Sequence, residues 1–457
     1  MIKNRIQLIE NSSNDVFRKL RSDVSDILES ALQAVDPEQA VLNALKVEAD
    51  ILVYDGDSID LSQVDNLFVI GGGKAGGLMA NALESLLESR ISSGIVNVLE
   101  GTENSVSLNH IVLNGASHPI PSEKGIAGVK QMMELTSQLS PRDLVITLIS
   151  GGGSALMPYP VEEVTLDDLQ EITRELMRAG ATINELNAVR KHLSSIKGGQ
   201  LAQHCSPARV VSLIMSDVIG DPLDTIASGL TAPDESTFTD AYTVLEKYRL
   251  FKNSPSTIRE RIMNGVNSNV PETPKKSDPV FNRVHNVLIA NNSTACIAAM
   301  SKAEELGYNS LILSTSIEGE ARIVGASLAE KAKEILETAR PIERPTAVIL
   351  GGETTVTVKG KGVGGRNQEL SLGGLDKIAG LSSLVASLGT DGIDGPTEAA
   401  GALIDGYSLE RSKKLGLSPD EYLNNNDSYN FFRQLGDVII TGPTGTNVND
   451  IVIILVV

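Results

Sequence analysis

Four apolar runs in this chain each stop abruptly at glycines and polar residues. Leu67-Phe68-Val69-Ile70 stops at Gly71-Gly72-Gly73, and residues 144–149 stop at Ser150-Gly151-Gly152-Gly153-Ser154. Ala347-Val348-Ile349-Leu350 stops at Gly351-Gly352-Glu353, and residues 383–388 stop at Gly389-Thr390-Asp391. Short apolar runs closed by glycine are the pattern of strands buried on both faces, and ligands collect outside the carboxyl ends of such strands. Between the runs, apolar residues recur at helical spacing, as in Val16, Leu20, Val24, Ile27, Leu28 and Leu32. Alternating strands and helices predict an α/β protein: two Rossmann-like three-layer domains with mainly parallel sheets and an active site in the cleft between them.

At 457 residues the chain exceeds what one core holds. The polar, proline-containing segment 267–279 is its most linker-like stretch. The division expected is an N-terminal Rossmann-like domain over 1–240, a helical and linker transition over 241–279, and a C-terminal α/β domain over 280–457. A net charge of −19 argues against a nucleic-acid partner, and makes any Lys or Arg in a glycine loop conspicuous. Cys205 and Cys296 are too few for a disulfide framework, which points to a reducing, cytoplasmic location. The longest apolar run, 451–457, is far too short to span a bilayer and reads as a closing strand, so no membrane partner is expected.

The chemistry of the strand ends favours phosphoryl transfer. Gly72, Gly73 and the Ser150-Gly151-Gly152-Gly153-Ser154 loop offer bare backbone N–H groups to a phosphate, with Lys74 inside the first loop. Gly71, Gly73 and Gly76 also satisfy the dinucleotide pattern G-x-G-x-x-G, with Glu100 as its ribose-binding acid. No Gly-Lys pair is followed by Ser or Thr, so a nucleotide is held without a P-loop. His118 stands between small residues and prolines, suited to a turn or to substrate, and Arg190, Lys191 and Lys197 form a basic cluster. Asp217 and Asp221 follow the strand 209–215, where they could serve as metal ligands. Glu353, Arg366, Asp391 and Asp394 converge on one pocket if strands 347–350 and 383–388 end at the same edge.

These segments resemble the class II glycerate 2-kinases, whose C-terminal part is the MOFRL domain. The residues that carry the likeness are Gly72-Gly73-Lys74-Ala75, residues 149–156, Val189-Arg190-Lys191-His192, residues 351–358, Gly364-Gly365-Arg366-Asn367-Gln368-Glu369, residues 389–395 and residues 441–450. Ile219, Leu230 and Gln200 depart from the family pattern, which has prolines and an arginine there. The resemblance implies phosphorylation of D-glycerate by ATP and Mg²⁺ to 2-phosphoglycerate, with residues 280–457 as the MOFRL-type domain. It implies Lys74, Arg366 and Asp391 as catalytic residues and the Gly151 to Ser154 loop as phosphate-binding. Candidate substrate-binding residues are Arg190, Lys191, Asn367 and Asp394; candidate metal ligands are Asp217 and Glu353. The partners expected are small molecules, with a homodimer compatible with the sequence. The rival readings are an NAD(P)-dependent hydroxypyruvate reductase and a non-catalytic sensor of small acids.

Overall fold

The computed structural model describes residues 1–457, which divide into two compact units, Pro37–Ile289 and Met1–Asp36 with Ala290–Val457. The Pro37–Ile289 unit begins with a small antiparallel sheet of β1 (Leu45–Glu48), β2 (Ile51–Tyr54) and β3 (Asp57–Asp60). Its main sheet holds β4 (Leu67–Gly72), β5 (Ser93–Leu99), β6 (Ile111–Ala116), β7 (Leu144–Ile149), β8 (Arg209–Met215) and β9 (Val284–Ala290), in the order β6-β5-β4-β7-β8-β9. Strands β4 to β8 pair in parallel. From β4 the chain steps outward to β5 and β6, then returns across β4 to lay down β7 and β8. Strand order therefore reverses between β4 and β7, which is where an open α/β sheet leaves a crevice at its carboxyl edge. Every residue of β7 is buried, as a central parallel strand requires.

A second core in this unit is helical, built from Leu169, Ile172, Val189, Phe238, Leu245 and Ile262. Three of its helices, Leu166–Arg178, Ile183–His192 and Phe238–Lys247, open with a Thr that caps the backbone while an acid three residues on reciprocates. Within the helical transition expected over 241–279, the helix breaks between Lys247 and Ser256, with Arg249 at φ +58°.

The other unit carries β10 (Asn309–Ile317), β11 (Thr346–Gly352), β12 (Ser383–Gly389), β13 (Gly401–Asp405), β14 (Val438–Ile439) and β15 (Asp450–Val456), in the order β10-β11-β15-β12-β13-β14. Here the expectation of a mainly parallel sheet is corrected: β10 and β11 are parallel, and every other neighbouring pair is antiparallel. The reason is β15, the fully buried final strand, which inserts between β11 and β12 and runs against both. Because both oppose β15, β11 and β12 point the same way, and Gly352 and Gly389 each stand opposite Asp450. The two glycine ends thus meet at one edge, as the sequence suggests, with the start of a third strand between them.

The first helical segment belongs with this C-terminal sheet rather than with residues 37–240. Arg21 of helix Asp15–Ala34 is wholly buried and donates to Asp405 Oδ2 at 2.8 Å and Asp437 Oδ1 at 2.7 Å. Likewise the transition expected over 241–279 lies within the Pro37–Ile289 unit, since β9 closes that unit's sheet after the linker-like stretch. No helix is long and apolar enough to cross a membrane.

Candidate functional site

At the reversal point of the parallel sheet, the loops after β4 and β7 lie against each other. Lys74 N donates to Gly151 O at 2.9 Å and Ala75 N to Ser150 Oγ at 3.1 Å. Gly73 sits at φ +154°, and a Cβ there would run into Ser150, so only glycine allows this approach. A Cβ at Gly151 would meet the Asp217 carboxylate, which places Asp217, just past β8, directly beside the loop. Lys74 is exposed, and its Cγ and the His118 ring flank Gly152. Burial, reinforced by Lys74, lowers the His118 pKa and keeps the imidazole neutral. Burial raises the Asp217 pKa, against the pull of Lys74.

Beyond the loop lies a residue that the sequence marks only as one of a basic cluster. Lys197 is 3 % exposed and donates to Ser154 O at 3.0 Å and Ser154 Oγ at 3.1 Å. Ser154 Oγ in turn lies 2.7 Å from Ser228 Oγ, which donates to Asn187 Oδ1 at 3.0 Å. Burial, with Arg190 nearby, brings Lys197 down to about 7, and burial brings Arg190 down to about 10. Gln200, in place of the family's arginine, donates to the carbonyls of Lys191, Ser194 and Lys197 and so holds the turn that aims Lys197. Lys191 is separated from Arg190 despite being its chain neighbour. It is buried in ion pairs with Asp234 at 3.0 Å and Asp224 at 3.4 Å, so its charge is already matched.

In the other unit, Arg366 opens helix Arg366–Ile378 at the common edge of β11, β12 and β15. Its Nε and Nη2 grip Asp450 at 2.6 and 3.0 Å, and its Nη1 donates to Glu353 Oε1 at 2.6 Å. Burial would lower the Arg366 pKa, but the two carboxylates outweigh it and raise it. Asp450 is the residue that the strand-end argument omits, because its strand runs the other way; Arg366 counters the rise that burial imposes on its pKa. Asp394 and Asn367, expected to bind substrate, are 2 % and 1 % exposed and bonded to each other. Asp394 accepts from the backbone N–H of Asn367 at 3.0 Å and of Gln368 at 2.9 Å, capping the helix that presents Arg366. Burial lifts Asp394 to about 6 although those amides oppose the rise. Asp391 is half-buried and accepts from Ile393 N at 3.0 Å; its loop is stitched to the segment before β15 by Thr444 N donating to Asp391 O.

No group of three or more His, Cys, Asp or Glu side chains could cage a metal ion. Of the candidate ligands, Glu353 is engaged by Arg366, while Asp217 stands at the glycine loop.

The chain matches the family model described as a domain of unknown function, DUF4147, over residues 23–263, and the MOFRL family over 346–450. It is 42 % identical to glycerate 2-kinase of Pyrococcus horikoshii, covering 93 % of this chain and 95 % of that one. It is 41 % identical to D-glycerate 2-kinase of Thermotoga maritima, over 94 % of this chain and 97 % of that one. A protein of Agrobacterium vitis provisionally named hydroxypyruvate reductase is 38 % identical over 99 % of both chains. The crystal structure of glycerate kinase from Thermotoga maritima aligns with a TM-score of 0.86 at 40 % identity, covering 96 % of this chain and all of that one. On this similarity over nearly its whole length, with a solved structure of the same fold, the chain belongs to the glycerate kinase family.

Proposed function

We propose that this chain is an ATP-dependent glycerate 2-kinase, moving the γ-phosphate of ATP to the C2 hydroxyl of D-glycerate. The observation that carries the reading is the meeting of two glycine loops at the β4–β7 reversal, where the Gly151-Gly152 backbone stands beside the exposed Lys74. Phosphoryl transfer asks a protein chiefly for positioning and for charge stabilisation. Of the expected cradle, the Gly73, Ser150 and Gly153 amides are taken by the carbonyls of Asn97, Gly72 and Ser150, so the Gly151 and Gly152 amides are the ones offered to phosphate oxygens, and Lys74 neutralises charge on the transferring group. Arg366 is held by Asp450 and contributes its cation on release of Glu353. Asp391, fixed by its loop, accepts the hydroxyl proton. Asn367 and Asp394 act by holding Arg366 in place rather than by touching substrate.

Mg²⁺ arriving with a nucleotide would need only one or two protein carboxylates, and Asp217, whose carboxylate lies against Gly151, is the candidate to supply one. When bound it supplies charge neutralisation at the β- and γ-phosphates. The two buried free cysteines suit a cytoplasmic protein.

A phosphorus NMR time course with D-glycerate, ATP and Mg²⁺ tests the reading. The outcome expected is 2-phosphoglycerate with ADP; 3-phosphoglycerate would overturn the proposed substrate pose, and no phosphorylated product from folded protein would overturn the kinase. The reductase reading draws on the provisional name of the Agrobacterium relative and on the G-x-G-x-x-G match. Against it, Glu100, its ribose acid, is engaged by Lys124. NADH oxidation with hydroxypyruvate, in place of phosphorylation, would decide for it.

A further inference from the structure

Beside the glycine loop the Pro37–Ile289 unit contains a cavity of about 620 Å³ whose two ends differ in chemistry. One end is formed by Gly152, Ser154, Arg190 and Lys197. The other is largely apolar, with Ile120 59 % and Met177 62 % exposed at its rim and Pro121 and Leu169 in its wall, and helix Leu166–Arg178 adds Arg174 and Arg178 to it. No acidic side chain lines it. Lys197 donates only to the neutral oxygens of Ser154, and Arg190 is tethered by a single long bond, 3.5 Å from Nε to Thr173 Oγ1. In a protein of net charge −19, four basic side chains, Arg174, Arg178, Arg190 and Lys197, thus line one cavity with no carboxylate among its lining residues. A buried charge without a partner is costly, and an arriving anion removes that cost. The low pKa of Lys197 is the same tension seen from the proton's side.

Size separates the anions that could enter. A cavity of this volume is in the range that encloses drug-sized ligands, and a three-carbon acid would leave its apolar end untouched. We propose that the cavity holds a nucleoside phosphate, with a phosphate on Lys197 and Arg190 and the base and ribose against Ile120, Pro121, Leu169 and Met177. Naming that ligand as the kinase's own nucleotide rests on the function proposed above. The ADP moiety itself occurs equally in a dinucleotide, so the experiment separates the two sources.

Calorimetric titration of the full-length protein with ADP, and separately with NADH, would be repeated on Met177→Asp and Lys197→Met, alongside the KM for D-glycerate and the thermal midpoint. ADP is expected to bind and NADH not. Each variant should weaken ADP about tenfold or more, the size of one charged hydrogen bond or one lost apolar contact, with the glycerate KM within about twofold. Lys197→Met should also melt no lower than the wild type, because it removes a buried charge; a merely structural lysine would lower the midpoint. Met177 is exposed, so Met177→Asp keeps the test alive if Lys197→Met fails to fold. Variants that raise the glycerate KM while leaving ADP binding unchanged would overturn the cavity assignment and leave the kinase standing. Wild-type ADP binding that neither variant disturbs would do the same. NADH binding in place of ADP, weakened by both variants, would keep the cavity but remove the kinase.

Discussion

Asp391 and Asp394 stand three residues apart in one loop and do different work. Asp391 is the accessible carboxylate, so Asp391→Asn should lower kcat by about 10²-fold to 10⁴-fold with an unchanged melting curve, measured by coupled ADP release. Asp394 is a buried cap, and its signature is stability against pH. Its folded pKa, about 6, lies above its ordinary value of 3.8, so between these the folded state holds a proton that the unfolded state has lost. Its contribution is therefore favourable below the lower value and declines as pH rises from about 4 to 6. Denaturant titrations should show wild-type stability falling relative to Asp394→Asn across that window, by up to about 3 kcal/mol. Parallel curves would place the titration elsewhere. Both acids are visible in the sequence as strand-end residues, but burial is what assigns their roles, and burial depends on tertiary packing that the local pattern does not carry. Lys197 makes the same point: in the sequence it is one of a basic cluster with Arg190 and Lys191, and the structure sends Lys191 to two carboxylates while Arg190 and Lys197 line one cavity.

At the scale of elements, the glycine-ended strands were legible because apolar runs closed by glycine have few other solutions. Strand 209–215 and the helix carrying Val16 to Leu32 are found where the residues suggest. The strand order of the second sheet was not legible, since the seven buried residues of β15 read identically in a parallel or an antiparallel neighbourhood. The β1–β3 sheet was not legible, its four-residue strands being too short, and β1 and β3 too polar, for a period to show. The meeting of the β4 and β7 loops gives this scale its own prediction. Gly73→Ala forces a side chain into a positive-φ position against Ser150, and should cost about 1–3 kcal/mol in chemical denaturation. Its ATP KM should rise more than its glycerate KM, because the cradle amides move first. An unaltered protein would mean that the two loops part more easily than their contacts suggest.

For the whole molecule, the two-part α/β plan follows from length and alternation, whereas the partition of the chain does not. Proline-rich polar segments signal where a chain is free to turn, not which core the turn leads to, and the change at Asp36–Pro37 is not set in a longer stretch of that kind. The deciding interaction is a buried ion network, Arg21 with Asp405 and Asp437, joined by Arg411 on Asp437 at 3.0 Å. Truncating one partner of such a network leaves uncompensated buried charge, so Arg21→Met should destabilise the Met1–Asp36 and Ala290–Val457 unit by about 3–5 kcal/mol in denaturant. The Pro37–Ile289 unit should keep its own transition, resolved by a probe within it. A single cooperative loss of both would show that the units do not unfold separately.

That network also imposes an order on synthesis. Residues 37–289 form a continuous stretch and can fold as soon as they emerge, but helix Asp15–Ala34, translated before them, has its partners Asp405 and Asp437 on the far side of that stretch. Its apolar stripe and its arginine must wait, unpartnered, through nearly the whole length of translation. A helix made before residues 37–289 is thus buried only after them, and during that interval the nascent protein's exposure to aggregation and its need for chaperones are concentrated in about twenty residues.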